Sequence, residues 1–140
     1  MTLSKQLRVF LLYARGDKEA VHRIYQRLVK QGANVWFDQE KLIPGQDWEH
    51  EIHKAIYSSD IVIVCLSRHF IKQGGYRHKE LEFALEKASL FPDHATFILP
   101  ARLEECDMPE PLRRWQRVDL FEADGYRKLI SALKEQVTLA

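Results

Sequence analysis

The stretch DIVIVCL, residues 60–66, constrains this chain more than any other. From Ile61 to Leu66 every residue is apolar, with no polar position alternating in. A strand with one wet face alternates apolar and polar residues, whereas a strand covered on both faces reads as a continuous apolar run. The run is also far shorter than the roughly 20 residues that cross a bilayer. It predicts the central strand of a parallel sheet with helices on either side.

The flanking segments supply what such a sheet needs. RVFLLY (8–13) and NVWF (34–37) are β-leaning runs, and between them Val21, Ile24, Tyr25 and Leu28 fall on one helical face. Asp17 is placed to cap that helix and Gly32 to end it. After the turn-rich DQEKLIPGQD, Trp48, Ile52, Ala55 and Ile56 trace a second helical face. Beyond residue 66 come a polar loop and a helix with the stripe Leu81, Ala84, Leu85 and Ala88. A strand in TFILPA (96–101), a Pro-containing acidic loop, a short strand in RVDLF (117–121) and a closing helix in GYRKLISALKEQV (125–137) complete the chain. Strands and helices alternate with short connections, so the sheet is parallel and wrapped on both faces.

A chain of 140 residues reads as one domain, residues 1–140, and as a module of a larger protein. Its net charge of +1 gives no field for a polyanion, so no nucleic acid is expected as a direct partner. Arg8 interrupts the first apolar run and no small-residue cleavage site follows, so that run is a strand rather than a signal peptide. No membrane association is expected. Cys65 lies inside the apolar run and Cys106 in the loop LEECDMPEP, which suggests reduced thiols and a cytoplasmic setting.

In an open α/β sheet the ligand site lies outside the carboxyl ends of the strands. That rule selects Tyr13, Ala14 and Arg15 after the first strand, Phe37 and Asp38 after the second, and Ser67 and Arg68 after the third. Glu80 lies near the start of the following helix, at the edge of its apolar stripe, on the side where Tyr76 and Phe83 project. Arg77 and Lys87 are the cations in reach along the helix. Such a boundary carboxylate is partly desolvated, as functional groups often are. The residues alone leave open whether Glu80 is a helix charge or a chemical group.

Other site types are excluded more firmly. There is no G-x-G-x-x-G and no G-x-x-x-x-G-K-[ST]. A phospho-acceptor receiver would need an acidic pair where Tyr13-Ala14-Arg15 stands. His50 and His53 share a helix face without a third ligand, so no metal is expected. Neither Cys65 nor Ser67 has a nucleophile's surroundings. Leu42 and Ile43, beside the Pro44-Gly45 turn and ahead of Trp48, suggest a docking surface or lid, or else a staple against their own helix.

Taken together, these pieces resemble the Toll/interleukin-1 receptor (TIR) domain in its bacterial form, over about residues 8–135. The resemblance rests on Tyr-Ala-x-x-Asp ending the first strand, Gly-x-x-Val-Trp-x-Asp at the second and Leu-x-Pro-Gly in the loop. Ala-Ile-x-x-Ser before an apolar strand and a serine completes it. It implies a flavodoxin-like three-layer α/β/α fold with a central parallel five-stranded sheet. Many members cleave NAD⁺ between nicotinamide and ribose with a glutamate preceded by Trp-x-x-x, and YRHKELEFAL makes Glu80 its counterpart. By the same resemblance Tyr13, Ala14, Arg15, Phe37, Asp38, Ser67 and Tyr76 contact the substrate. Leu42, Ile43, Pro44, Gly45 and Trp48 then belong to a loop governing access and self-association.

NAD⁺ would be the substrate and no cofactor is implied. Homotypic TIR–TIR contacts, a fused or associated sensor domain and a role in bacterial immunity are the implied context. ADP-ribose or a cyclic isomer are the two product forms. Tyr76 stands where the family carries tryptophan, so the product stays open, and Leu12 where serine is frequent, which implies a less polar first loop. Two rival expectations are a non-catalytic TIR–TIR scaffold and an N-glycosidic enzyme acting on free nucleosides or nucleotides.

Overall fold

Every residue of the central strand, Ile61 to Leu66, is buried, and the elements around it account for that burial. The computed structural model describes residues 7–37, 43–72, 78–91 and 96–139. In chain order these form β1 (Arg8–Leu12), α1 (Lys18–Lys30), β2 (Asn34–Phe37), α2 (Trp48–Ser58) and β3 (Ile61–Leu66). There follow α3 (Arg68–Lys72), α4 (His78–Ala88), β4 (Ile98–Arg102), β5 (Val118–Asp119) and α5 (Gly125–Leu139). All strand pairings are parallel and the order is β2-β1-β3-β4-β5. That is the flavodoxin-like order, with the topological switch point between β1 and β3.

Alternate residues of each strand enter opposite layers. Val9, Leu11 and Tyr13 join Ile61, Ile63 and Cys65 beneath α1 and α5, where Val21, Ile24, Leu28, Leu129 and Leu133 close the layer. Phe10, Leu12 and Ala14 join Val62, Val64 and Leu66 on the other face, beneath Ile52 and Ile56 of α2 and Leu81 and Ala84 of α4. Helix α1 ends as its sequence predicts. Gly32 takes φ 96°, its amide donates to Val29 O at 3.0 Å and the Ala33 amide to Leu28 O at 3.2 Å. Both bonds belong to the Schellman motif, which only glycine enters without strain.

The polar loop expected after β3 contains a short helix, α3. Ser67 Oγ accepts from the Phe70 amide at 3.1 Å and Glu104 Oε2 from the Arg68 amide at 2.9 Å. These acceptors satisfy amides that a first turn leaves orphaned. Strand β5 is shorter than RVDLF suggests, since only Val118 and Asp119 find partners, in Ala101 and Arg102.

Helix α4 is tied to α2 along its length. Lys79 pairs with Glu49 between the two first turns, and the rings of His53 and Phe83 lie 4.1 Å apart at mid-helix. At the far end Lys87 Nζ donates to the carbonyls of Tyr57 and, at 2.8 Å, Ser59. A cation on terminal carbonyls also complements the negative end of the α2 dipole. Burial, with the Arg8 charge adding, pulls the Lys87 ammonium below its ordinary value.

At the end of the sheet a buried ion pair joins β4 to β5. Arg102, 5% exposed, engages Asp119 through two bonds of 2.7 and 2.9 Å, and its remaining amino group donates to Cys106 O at 2.8 Å. The hydrogen bond from Arg102 holds the Asp119 carboxyl down to about 2, against the opposing effect of its burial and with help from Arg117. A lowered carboxyl stabilises the fold above its unfolded value of about 4 and loses that contribution as pH falls toward 2. Urea midpoints should therefore decline over that window, and Asp119→Asn should remove that part of the decline. Asp119→Ala, which strands a buried cation, is expected to cost about 3 kcal/mol or more, and Arg102→Leu/Asp119→Leu less. Gly125 has its own constraint: a Cβ there would lie 2.0 Å from Asp119 O. Gly125→Ala should cost about 3 kcal/mol, read from the same midpoints.

Candidate active site at the strand carboxyl ends

In a parallel sheet each helix starts where the preceding strand ends, so the first turns of α2, α3 and α4 crowd the carboxyl edge. Glu80 lies in the first turn of α4 and is 3% exposed, one of only a few buried charged or polar residues among those described. The sequence suggests a carboxylate at the boundary of the apolar stripe, and the structure takes it further in. Its neighbour Leu81 packs into the layer under α2 and α4, and the exposed Lys79–Glu49 pair lies on the same turn. Acidic residues are almost never this buried unless paired, and the first turn of a helix favours negative charge. Lys87, considered as a cation for Glu80, serves the α2 carbonyls instead.

Ala14 is fully buried and belongs to the same layer as Leu81. Arg15, exposed, begins a 3₁₀ turn, Arg15–Asp17, that leads into α1. Asp17 occupies the N-cap position of α1 as expected, but its side chain makes no capping bond. Its carboxylate accepts the Ser67 hydroxyl proton, joining the ends of β1 and β3.

Tyr13 and Phe37 face the opposite layer. Their rings stack 5.4 Å apart, and Phe37 also lies against Tyr25 at 5.1 Å and His22 at 5.4 Å. Both are sealed beneath α1, so the sheet itself separates them from the layer that holds Leu81. Asp38, Leu42 and Tyr76 lie outside the described residues.

The Pro44-Gly45 stretch forms a closed turn. The Gln46 amide donates to Ile43 O at 3.0 Å, the Ile43 amide to Gln46 Oε1 at 2.7 Å, and Gly45 takes φ 94°. Proline followed by a positive-φ glycine is the type II pattern. Ile43 is 65% and Trp48 41% exposed, so Ile43 faces solvent rather than being stapled to α2. Asp47 caps α2 by accepting from the His50 amide at 3.4 Å.

A cleft of about 240 Å³ opens between α3, α4 and the loop after β4, lined by Phe70, Ile71, Leu81, Met108 and Arg113 among others. Another of about 160 Å³ lies at the opposite edge of the sheet, beside Arg8, Trp36 and Ser58. Burial, with the Asp17 charge adding, pushes the Cys65 thiol far up, which keeps it protonated and inert. Among the described residues no group of His, Cys, Asp and Glu could hold a metal ion, and no helix is long and apolar enough to cross a membrane. His53 packs between Tyr57 and Phe83. Sequence reasoning missed the tie between Asp17 and Ser67 and the Arg102–Asp119 pair, although Asp17 belongs to the Tyr-Ala-x-x-Asp motif.

Comparison with known proteins gives the same architecture. PdTIR, an NAD(+) hydrolase of Paracoccus denitrificans (strain Pd 1222), is 37% identical over 83 residues, which are 57% of this chain and 27% of that protein. The chain thus spans about a quarter of that relative's length. The TIR domain of the Toll-related receptor TRR-2 from Hydra magnipapillata superimposes with a TM-score of 0.74 at 23% identity, covering 90% of this chain and 97% of that one. A TIR-STING receptor from C. gigas gives 0.70 at 18% identity, covering 92% and 38%. Those two likenesses concern the fold. A family model described as TIR domain matches residues 9–130, and with nearly the whole chain inside that match, this protein belongs to the TIR domain family.

Proposed function

We propose that this domain is an NAD⁺ glycohydrolase with Glu80 as its catalytic carboxylate. The observation that carries the reading is the burial of Glu80, 3% exposed, in the first turn of α4 at the ligand-binding edge of the sheet. The relative named as an NAD(+) hydrolase supports it at the level of the family.

The chemistry suits a single carboxylate. The bond between the nicotinamide nitrogen and the ribose C1′ breaks with its electron pair passing to the pyridinium ring, so nicotinamide leaves neutral and no general acid is required. The ribose carbon becomes oxocarbenium-like, and a fixed anion in a water-poor site stabilises that charge. Water then bonds to C1′ and releases a proton, giving ADP-ribose. Attack by a hydroxyl or by the adenine of the same molecule would give a cyclic isomer.

In this reading Arg15 meets the pyrophosphate, Asp38 the ribose hydroxyls, and Tyr76 shapes the nicotinamide end. Ala14 lies in the layer that holds Leu81, while Tyr13 and Phe37 back the strand ends from beneath α1 and Ser67 lies buried behind the pocket. The site is completed by a second copy through the loop carrying Ile43, Pro44 and Gly45, on which Ile43 is 65% exposed. Activation by assembly, a sensor domain, a role in bacterial immunity and a cytoplasmic location complete the proposal. The exposure of Ile43 and Trp48 supports a second reading, in which the domain only self-associates or docks another TIR domain.

Nicotinamide release from NAD⁺, followed by liquid chromatography across a wide range of protein concentration, separates the two. Wild type should release nicotinamide faster than in proportion to concentration. Glu80→Ala and Glu80→Gln should lose about a hundredfold or more of the turnover while keeping the same assembly by light scattering. Undiminished turnover in Glu80→Ala would sink the catalytic assignment. Self-association without turnover at any concentration would leave the scaffold reading.

A further inference from the structure

An aspartate at an N-cap ordinarily serves the orphan amides of its own helix. Asp17 does not, since its carboxylate accepts instead the hydroxyl proton of Ser67, 50 residues along the chain. Ser67 Oγ accepts in turn from the Phe70 amide at 3.1 Å, and the residue is 1% exposed. A hydroxyl has a single proton to give, and Asp17 takes it, so none remains for a substrate.

What the bond holds is the turn Arg15–Asp17. The Asp17 amide donates to Ala14 O at 2.9 Å. Gly16 lies so close to His69 of α3 that a Cβ would come within 3.3 Å of its imidazole. The turn is thus tied to Ser67 by one hydrogen bond and closely approached by His69 of α3, across the switch point between β1 and β3, and Arg15 stands exposed on it.

We propose that Ser67 is a positioning residue, which through Asp17 sets the place of Arg15 in the strand-end crevice and does not touch the substrate itself. The proposal rests on the NAD⁺ reading above and assigns to Ser67 a role distinct from substrate contact. A residue that places a phosphate-binding side chain acts on the bound ground state and transition state alike, so its loss appears in KM rather than kcat.

Steady-state kinetics with NAD⁺ test this on wild type, Ser67→Ala, Ser67→Thr, Arg15→Ala and the Ser67→Ala/Arg15→Ala double variant, at one assembly-competent concentration. Ser67→Ala should raise KM about tenfold with kcat within about twofold, and Ser67→Thr, which keeps the hydroxyl, should restore KM. In the Arg15→Ala background the same change should add nothing, because the two residues act as one unit. An unchanged KM, a loss confined to kcat, or full additivity with Arg15→Ala overturns the proposal. If wild type cleaves no NAD⁺, the hydrolase reading falls, and calorimetric titration of NAD⁺ into the same variants decides the matter. Weaker binding by Ser67→Ala, restored by Ser67→Thr, sustains the positioning role. Equal binding by all, or none by wild type, ends it.

Discussion

A strand sealed on both faces imposes obligations on everything around it. With β3 out of solvent from Ile61 to Leu66, apolar side chains must arrive from two directions, and only helices laid across both faces deliver them. Each crossover then returns the chain to the same end of the sheet. That is why α2, α3 and α4 all begin at the carboxyl edge, where Arg15, Ser67 and Glu80 follow strand ends or open helices. The position of the candidate carboxylate follows from how the core is covered.

Polar interactions then fix this edge and its counterpart. At the start of the sheet Arg8 grips Asp60 through Nη2 at 3.1 Å and through its own amide at 2.8 Å, which sets the register of β1 against β3. At the far end the tie between Asp17 and Ser67 joins the same two strands. The chain of contacts continues sideways, from Arg68 to Glu104 and from Arg102 to Asp119. The inner members are buried and paired, so they contribute definition more than net stability. A ligand site at such an edge has its geometry set before any ligand arrives.

The parts of this architecture that repeat with a local period were legible in the sequence. The apolar run of β3, the helical face of Val21, Ile24 and Leu28, and the Gly32 stop all follow from spacing alone. The place of Glu80 at the carboxyl edge followed from element order, and its depth did not. Burial to 3% depends on the way α4 is tied to α2 through Lys79, His53 and Lys87, pairings that no local pattern announces. Asp17 shows the same limit. Its helix-capping position is a local fact, whereas the destination of its carboxylate depends on Ser67, 50 residues away. Tyr13 and Phe37 were selected by lying after strand ends, but the alternation of the strand turns them beneath α1, where aromatic stacking absorbs them. Gly125 carries no sequence signal beyond its place at a helix start, since its constraint is the approach of a carbonyl from β5.

The turn that carries Ile43 has a consequence of another kind. Both bonds that close it, Gln46 amide to Ile43 carbonyl and Ile43 amide to Gln46 side chain, are made within the turn itself. The turn is therefore held by its own groups, and Ile43 stands 65% exposed on it. A surface that covers this side chain gains the transfer free energy of its apolar area, about 25 cal/mol per Å², without repaying the ordering cost that flexible loops exact from their partners. An isoleucine held out in this way is a standing debt of unburied area, carried by the folded domain at all times.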